Sequence, residues 1–193
     1  MYYILGIVCS PRKGGNTEIL VEQALEAARV AGAQTEMITV AERQIAPCDA
    51  CGACETTSKC SIDDGMQEIY AKLEAADGII FGTPVYFINV SAQAKAIIDR
   101  TYCFLLSRKL RGKVAAAVIA ARRVGGGNVL SLLYTFFTVH RMITAGGSIG
   151  YGREKGEVRS GVGMSPGMSA MEEARAVGQA VVRLLRQLYP SKQ

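Results

Sequence analysis

Short apolar runs alternate with amphipathic stretches five times along this chain, and that alternation limits the fold more than any other feature. Tyr3 to Val8 is compact and apolar and stops at Cys9-Ser10-Pro11, as a buried strand does. Gln34 to Val40, Gly78 to Thr83 and Val114 to Ala120 read as further strands, and Met142 to Ala145 opens a fifth. Helical spacing fills the intervals: Thr17 to Ala31, a stretch capped by Asp63 or Asp64 and running to about Ala76, Val90 to about Leu106, and Asn128 to about His140. A last helix places Met171, Ala174, Val177, Val181, Leu184 and Leu188 on one face. The glycine-rich stretch from Gly146 to Gly167 reads as an irregular loop. The expected architecture is a single α/β domain over residues 1–193: an open five-stranded parallel sheet with helices on both faces, carrying a cysteine-rich insert at about 46–62.

A chain of 193 residues with 49% hydrophobic content has material for one ordinary core. No run reaches the eighteen or so apolar residues of a membrane span. The first residues, Met1-Tyr2-Tyr3-Ile4-Leu5-Gly6, lack a basic region ahead of the apolar stretch, so a soluble, cytoplasmic protein is expected. The formal charge of +5 is scattered, with no basic arm and no basic stripe interleaved with aromatics, which argues against a nucleic-acid partner.

In an open parallel sheet, ligands bind beyond the carboxyl ends of the strands. The first such loop, Ser10-Pro11-Arg12-Lys13-Gly14-Gly15-Asn16-Thr17, joins a strand to a helix start and offers hydroxyls, an amide, two cations and two glycines. With the partial positive charge of the helix N-terminus, these groups suit a phosphate monoester. The pattern is neither a Walker A loop nor GxGxxG. The third strand-end loop, Arg122-Arg123-Val124-Gly125-Gly126-Gly127-Asn128, allows close backbone approach at Gly125 and Gly126, or is a plain flexible turn.

Between the second and third strands lie four of the six cysteines, Cys48, Cys51, Cys54 and Cys60, spaced C-x2-C-x2-C-x5-C. A window of this length holds roughly 0.4 of a cysteine at the chain's own frequency. The spacing matches the run that ligates a [4Fe–4S] cluster better than a structural zinc site, which more often pairs two CxxC units across a longer loop. Thiols that bind nothing are the third reading. A disulfide framework does not suit the reducing compartment expected. Cys9 and Cys103 stand in apolar contexts and read as ordinary buried thiols, and His140, the one histidine, as a helix-end packing residue.

The phosphate loop, then Gly82-Thr83-Pro84-Val85-Tyr86-Phe87, then Ser91-Ala92-Gln93-Ala94-Lys95-Ala96-Ile97-Ile98-Asp99-Arg100, resembles the NAD(P)H-dependent FMN reductase family of flavodoxin-like folds. With the cysteine run between these motifs, the chain is similar to the iron–sulfur flavoproteins of that family. The resemblance covers about residues 2 to 101. It implies that Ser10, Arg12, Asn16 and Thr17, with Lys13 a weaker candidate, hold the FMN phosphate. It places Pro84, Val85, Tyr86 and Phe87 along the flavin ring, and Asn89 either on the flavin or at the next helix cap. It also implies that Gly125 and Gly126 line the ring's other side and that the protein forms a homodimer or homotetramer; the alternative for that loop is that Arg122 or Arg123 meets a phosphate of NAD(P)H, the sequence singling out neither.

Three functions follow from that resemblance. The first is an iron–sulfur flavoprotein relaying electrons from ferredoxin or NAD(P)H through a cluster and FMN to a small acceptor. The second is an NAD(P)H-dependent flavin or quinone reductase without a cluster, and the third a non-enzymatic flavodoxin-like carrier or redox sensor. Asp49, Glu55, Asp63 and Asp64 outweigh Lys59 around the cysteines, so a cluster there is expected to have a low potential.

Overall fold

The computed structural model describes residues 1–192. Five parallel strands, β1 (Tyr3–Val8), β2 (Gln34–Thr39), β3 (Gly78–Pro84), β4 (Val114–Ala121) and β5 (Ile143–Tyr151), form one sheet in the order β2-β1-β3-β4-β5. The strand order reverses between β1 and β3, which opens a crevice at their carboxyl ends. The helices are α1 (Asn16–Val30), a short α2 (Ala53–Thr57), α3 (Met66–Ala75), α4 (Ala92–Arg100), α5 (Gly126–Val139) and α6 (Ala170–Leu188). This is the three-layer flavodoxin-like arrangement.

The central strands are apolar at nearly every position because both faces of the sheet are covered, and successive side chains serve opposite cores. Leu5, Ile7, Ile79, Phe81, Ala117 and Ile119 pack with α3, α4 and α5, whereas Ile4, Val8, Ile80, Ala116 and Val118 pack with α1 and α6. Fully buried side chains such as Leu133 and Phe137 each contribute about 1.5–3 kcal/mol of transfer free energy. Among the described residues, no helix is long and apolar enough to cross a membrane.

The largest departures from the sequence expectation are at β5, α6 and the end of α4. The stretch from Gly146 to Tyr151 continues β5 rather than forming a loop. Its small residues are required by crowding on both faces: a Cβ at Gly147 would lie 2.7 Å from Leu130 and 3.0 Å from the Ala117 carbonyl, and one at Gly150 would lie 2.8 Å from Leu20. On α6 the buried stripe is Ala170, Ala174, Val177, Val181, Val182 and Leu185, with Leu188 exposed. Gly178, whose Cβ would drive into the Ala24 carbonyl, lets α6 lie directly on α1 and fixes this rotation. Finally, α4 ends at Arg100 and a tight 3-10 turn, Thr101–Phe104, takes over the remainder of the expected helix.

Candidate functional site

Two concave regions collect the sequence candidates. The first is a cleft of about 430 Å³ at the strand carboxyl ends, within the usual range of small-molecule sites, about 300–1,000 Å³. Ser10, Arg12, Asn16 and Thr17 line it from the β1 side, and Pro84, Val85, Tyr86 and Phe87 from the end of β3. Ala120 to Arg122 close a further wall, and Gly152 to Lys155 arrive from beyond β5.

The phosphate loop is held by short-range bonds. Ser10 Oγ accepts from the Arg12 N–H at 3.1 Å, and Glu18 accepts from the Gly14 N–H at 2.7 Å. Gly15 occupies the cap position of α1 and has no side chain to compete for the first-turn N–H groups. Asn16 lines the cleft, but its amide is engaged elsewhere. Nδ2 donates to the Gly152 and Glu154 carbonyls at 3.3 and 2.9 Å, and Oδ1 accepts from the Gly156 N–H at 2.7 Å. Asn16 therefore fastens the 152–156 loop across the helix start. That loop brings Lys155 close enough to the phosphate loop that a Cβ at Gly14 would lie 3.3 Å from its Nζ.

Four expected cofactor residues stand outside the cleft walls. Lys13 is exposed and paired with Glu42. Asn89 turns its Oδ1 to the Val90 N–H at 2.8 Å, while the cap of α4 is Ser91, which accepts from the Ala94 N–H at 3.1 Å and donates to the Cys9 carbonyl at 2.5 Å. Gly125 (φ +90°) supports the cleft from behind, since a Cβ there would lie 2.9 Å from Ile88 Cα. Gly126 is the first residue of α5 and packs under Ile149.

Residues 86–89 form a two-residue hairpin: the Tyr86 N–H donates to the Asn89 carbonyl and the Asn89 N–H to the Tyr86 carbonyl, at 2.9 and 3.1 Å. Its tip residues Phe87 and Ile88 both have positive φ, 46° and 66°, and both are exposed. Glycine or asparagine is the usual occupant of such a tip. Arg122 and Arg153 extend from the cleft to a neighbouring hollow of about 350 Å³ that they share with Arg123. The cations at 153 and 155 escaped the sequence reading because they lie in the glycine-rich stretch.

The second region is an apolar cavity of about 780 Å³ between the cysteine segment, α4, the 3-10 turn and α5. Cys48, Cys51, Cys54 and Cys60 all line it. Cys48 and Cys51 are exposed, and Cys54 and Cys60 are half-buried against the core. Burial raises the Cys54 thiol pKa, and the neighbouring thiols of Cys60, Cys48 and Cys51 add to the shift. Among the described residues, no group of three or more histidine, cysteine or acidic side chains is drawn in around a single metal ion.

Cys103 and His140 also face this cavity. Cys103 lies near Tyr70 and Cys60, and burial raises its pKa. His140 Nε2 is 3.1 Å from Thr101 Oγ1, which donates to the Ile98 carbonyl, so the imidazole carries its proton on Nε2. Burial lowers the His140 pKa and favours that neutral form.

Beneath the segment sits Arg100, fully buried on α4. Its guanidinium meets both carboxylate oxygens of Asp64, at 2.9 and 3.1 Å, and donates to the carbonyls of Ala46 and Ile62, at 2.9 and 3.0 Å. Nε donates to the Tyr70 hydroxyl at 3.3 Å, and that hydroxyl donates to the Arg100 carbonyl at 2.8 Å. Asp64 also accepts from the N–H groups of Ala46 and Met66, at 2.8 and 2.9 Å. Burial pushes its pKa up, but the bonds from Arg100, Met66 and Ala46 prevail and hold the carboxyl below its ordinary range. The signal for Arg100 was a charged residue at position i+3 from Ile97 on the buried face of α4.

A reversed strand order, a phosphate-type loop at the crevice and apolar segments facing it define a flavodoxin-like flavoprotein oxidoreductase. The model of the NADPH-dependent FMN reductase family matches residues 2–154, and the chain belongs to that family. It is 38% identical over 190 residues to an iron-sulfur flavoprotein of Methanocaldococcus jannaschii, covering 95% of this chain and 97% of that one. It is 42% identical over 154 residues to an iron-sulfur flavoprotein of Methanosarcina thermophila, covering 77% of this chain and 80% of that one. Among solved structures, a flavodoxin, WrbA-like protein from Agrobacterium tumefaciens shares the fold, with a TM-score of 0.65 at 23% identity over 97% of this chain and 99% of that one.

Proposed function

We propose that this chain is an FMN-dependent electron-transfer oxidoreductase in which Cys48, Cys51, Cys54 and Cys60 hold a [4Fe–4S] cluster, passing electrons from ferredoxin or NAD(P)H to a small acceptor. The observation that carries the reading is that all four cysteines line one cavity in a chain whose strand-end cleft suits a flavin phosphate. The relatives named as iron-sulfur flavoproteins support it. When bound, FMN supplies both one- and two-electron chemistry and a cluster supplies single-electron transfer.

The chain's residues divide the work. Ser10, Arg12 and Thr17, with the first-turn N–H groups of α1 and the ammonium of Lys155, bind the phosphate. Asn16 closes the 152–156 loop over that site. Pro84 to Phe87 flank the flavin ring and keep water from it. Arg122, Arg123 and Arg153 provide positive charge for a phosphate of NAD(P)H. A homodimer or homotetramer with the flavin near a subunit boundary agrees with the exposed apolar tip at Phe87 and Ile88.

The test is anaerobic purification followed by iron, acid-labile sulfide and flavin assays, with about four irons and four sulfides per FMN expected. Reproducible absence of iron would leave the cluster-free reductase or a carrier. Rapid flavin bleaching by NAD(P)H would then identify the reductase.

A further inference from the structure

Arg100 is a large charged side chain with no exposed surface, and its hydrogen bonds reach both ends of one segment. Ala46 lies two residues before Cys48, and Ile62 lies two residues after Cys60. Both of their carbonyls accept from this guanidinium, and Asp64 completes the ring by accepting from the Ala46 N–H. The cysteine segment is therefore closed at its base by one ion pair.

The arrangement also changes the charge balance. The sequence sets four carboxylates against one lysine around the cysteines, but Asp64 is neutralised by Arg100, and Arg100 itself lines the cysteine cavity. A buried cation acts over longer range than the exposed charges of Asp49 and Glu55, which water and salt screen.

We infer that Arg100 is a positioning residue of the cysteine site, holding Cys48 to Cys60 in ligating register and raising the reduction potential of the centre they bind, with Asp64 as its counterweight. The inference rests on the cluster reading above. It separates from a merely structural role by sign. Removing Arg100 leaves the Asp64 charge unbalanced and disfavours the added electron; removing the charge of Asp64 leaves Arg100 unbalanced and favours it. A loosened segment alone would move both variants the same way.

The experiment measures the cluster midpoint potential and the rate of iron loss to a chelator in the anaerobically purified holoprotein, for Arg100→Met, Arg100→Lys and Asp64→Asn. FMN content serves as the control for folding. The expected result is a lower midpoint in Arg100→Met, a higher one in Asp64→Asn and, because lysine keeps the charge but not the bidentate fork, a near-parental midpoint in Arg100→Lys. Each shift should be about tenfold in the reduction equilibrium, about 59 mV for one electron. Iron loss should be faster in Arg100→Met and Asp64→Asn. Shifts of the same sign, or unchanged midpoints with unchanged iron retention, would overturn the inference while leaving the cluster reading intact. A wild-type protein without iron would remove both. Should Arg100→Met fail to fold, Asp64→Asn decides the question: a raised midpoint supports the inference and an unchanged or lowered one refutes it.

Discussion

The strand-end cleft and the cysteine cavity take their walls from different kinds of structure. The cleft is bounded by the carboxyl ends of β1, β3, β4 and β5, so its shape follows directly from sheet order. No lining residue of the cysteine cavity belongs to a strand; its walls are a loop, helix flanks and a 3-10 turn. The cleft is preorganised by the sheet's backbone ladder, whereas the cavity's loop is closed chiefly by one buried ion pair, with a single backbone bond, Gly65 N–H to the Gln44 carbonyl, beside it. A ladder distributes the constraint over many bonds, and a single ion pair concentrates it. The two regions should therefore fail independently, and the cavity more abruptly.

The largest effect expected is at the thiols. Cys54→Ser should abolish cluster iron while leaving FMN at one per chain, measured by iron and flavin assays on one preparation; parallel loss of flavin would show the regions to be coupled. Next in size, Asp64→Asn should cost about 3 kcal/mol in urea unfolding, because a buried guanidinium loses its partner. The Asp64 carboxyl is held below its ordinary range, so its contribution is complete above the unfolded value of about 3.9 and is lost as pH falls through the depressed folded value. The variant should show a flatter decline of stability on that acid limb.

At the cleft, Arg12→Ala should weaken FMN binding by roughly tenfold to a hundredfold, the usual worth of a charge-assisted hydrogen bond, with iron content unchanged. Flavin fluorescence quenching reads the affinity. Ser91→Ala removes the cap of α4 and a bond to the Cys9 carbonyl, and thermal melts should register a loss of about 1 kcal/mol. The smallest effect belongs to Cys103→Ser. Its sulfur lies beside Cys60 but outside the ligand spacing, so iron content should hold; loss of iron would enlarge the ligand set.

The same division explains what the sequence made legible. The runs Tyr3–Val8 and Gly78–Phe81 announce buried strands because they are almost wholly apolar, and the loop at Ser10 to Thr17 carries its chemistry in consecutive residues. β5 concealed itself because the crowding that demands Gly147 and Gly150 comes from Leu130, Ala117, Leu20 and Ala170, all distant in sequence. Asn16 reads from the sequence as a phosphate ligand, and it lines the cleft, but the bonds its amide makes near residue 154 lie beyond any local pattern. The four cysteines were visible by spacing alone. Arg100, which gathers their segment, was visible only as an out-of-place charge, since its partners at 46, 62 and 64 converge through the fold.

The closed base of the cysteine segment has a consequence for how this architecture can change over generations. Where a segment's two ends already touch, its length and content can be revised at the cost of loop closure alone, which grows only slowly with added residues. Ala46 and Asp64 are in hydrogen-bond contact, and the Gly65 N–H donates to the Gln44 carbonyl at 3.1 Å just outside them. The segment is thus a cassette: residues between those contacts can be exchanged, shortened or given new ligands while the sheet keeps its registers. Arg100 and Asp64 mark the seam at which such an exchange would be made.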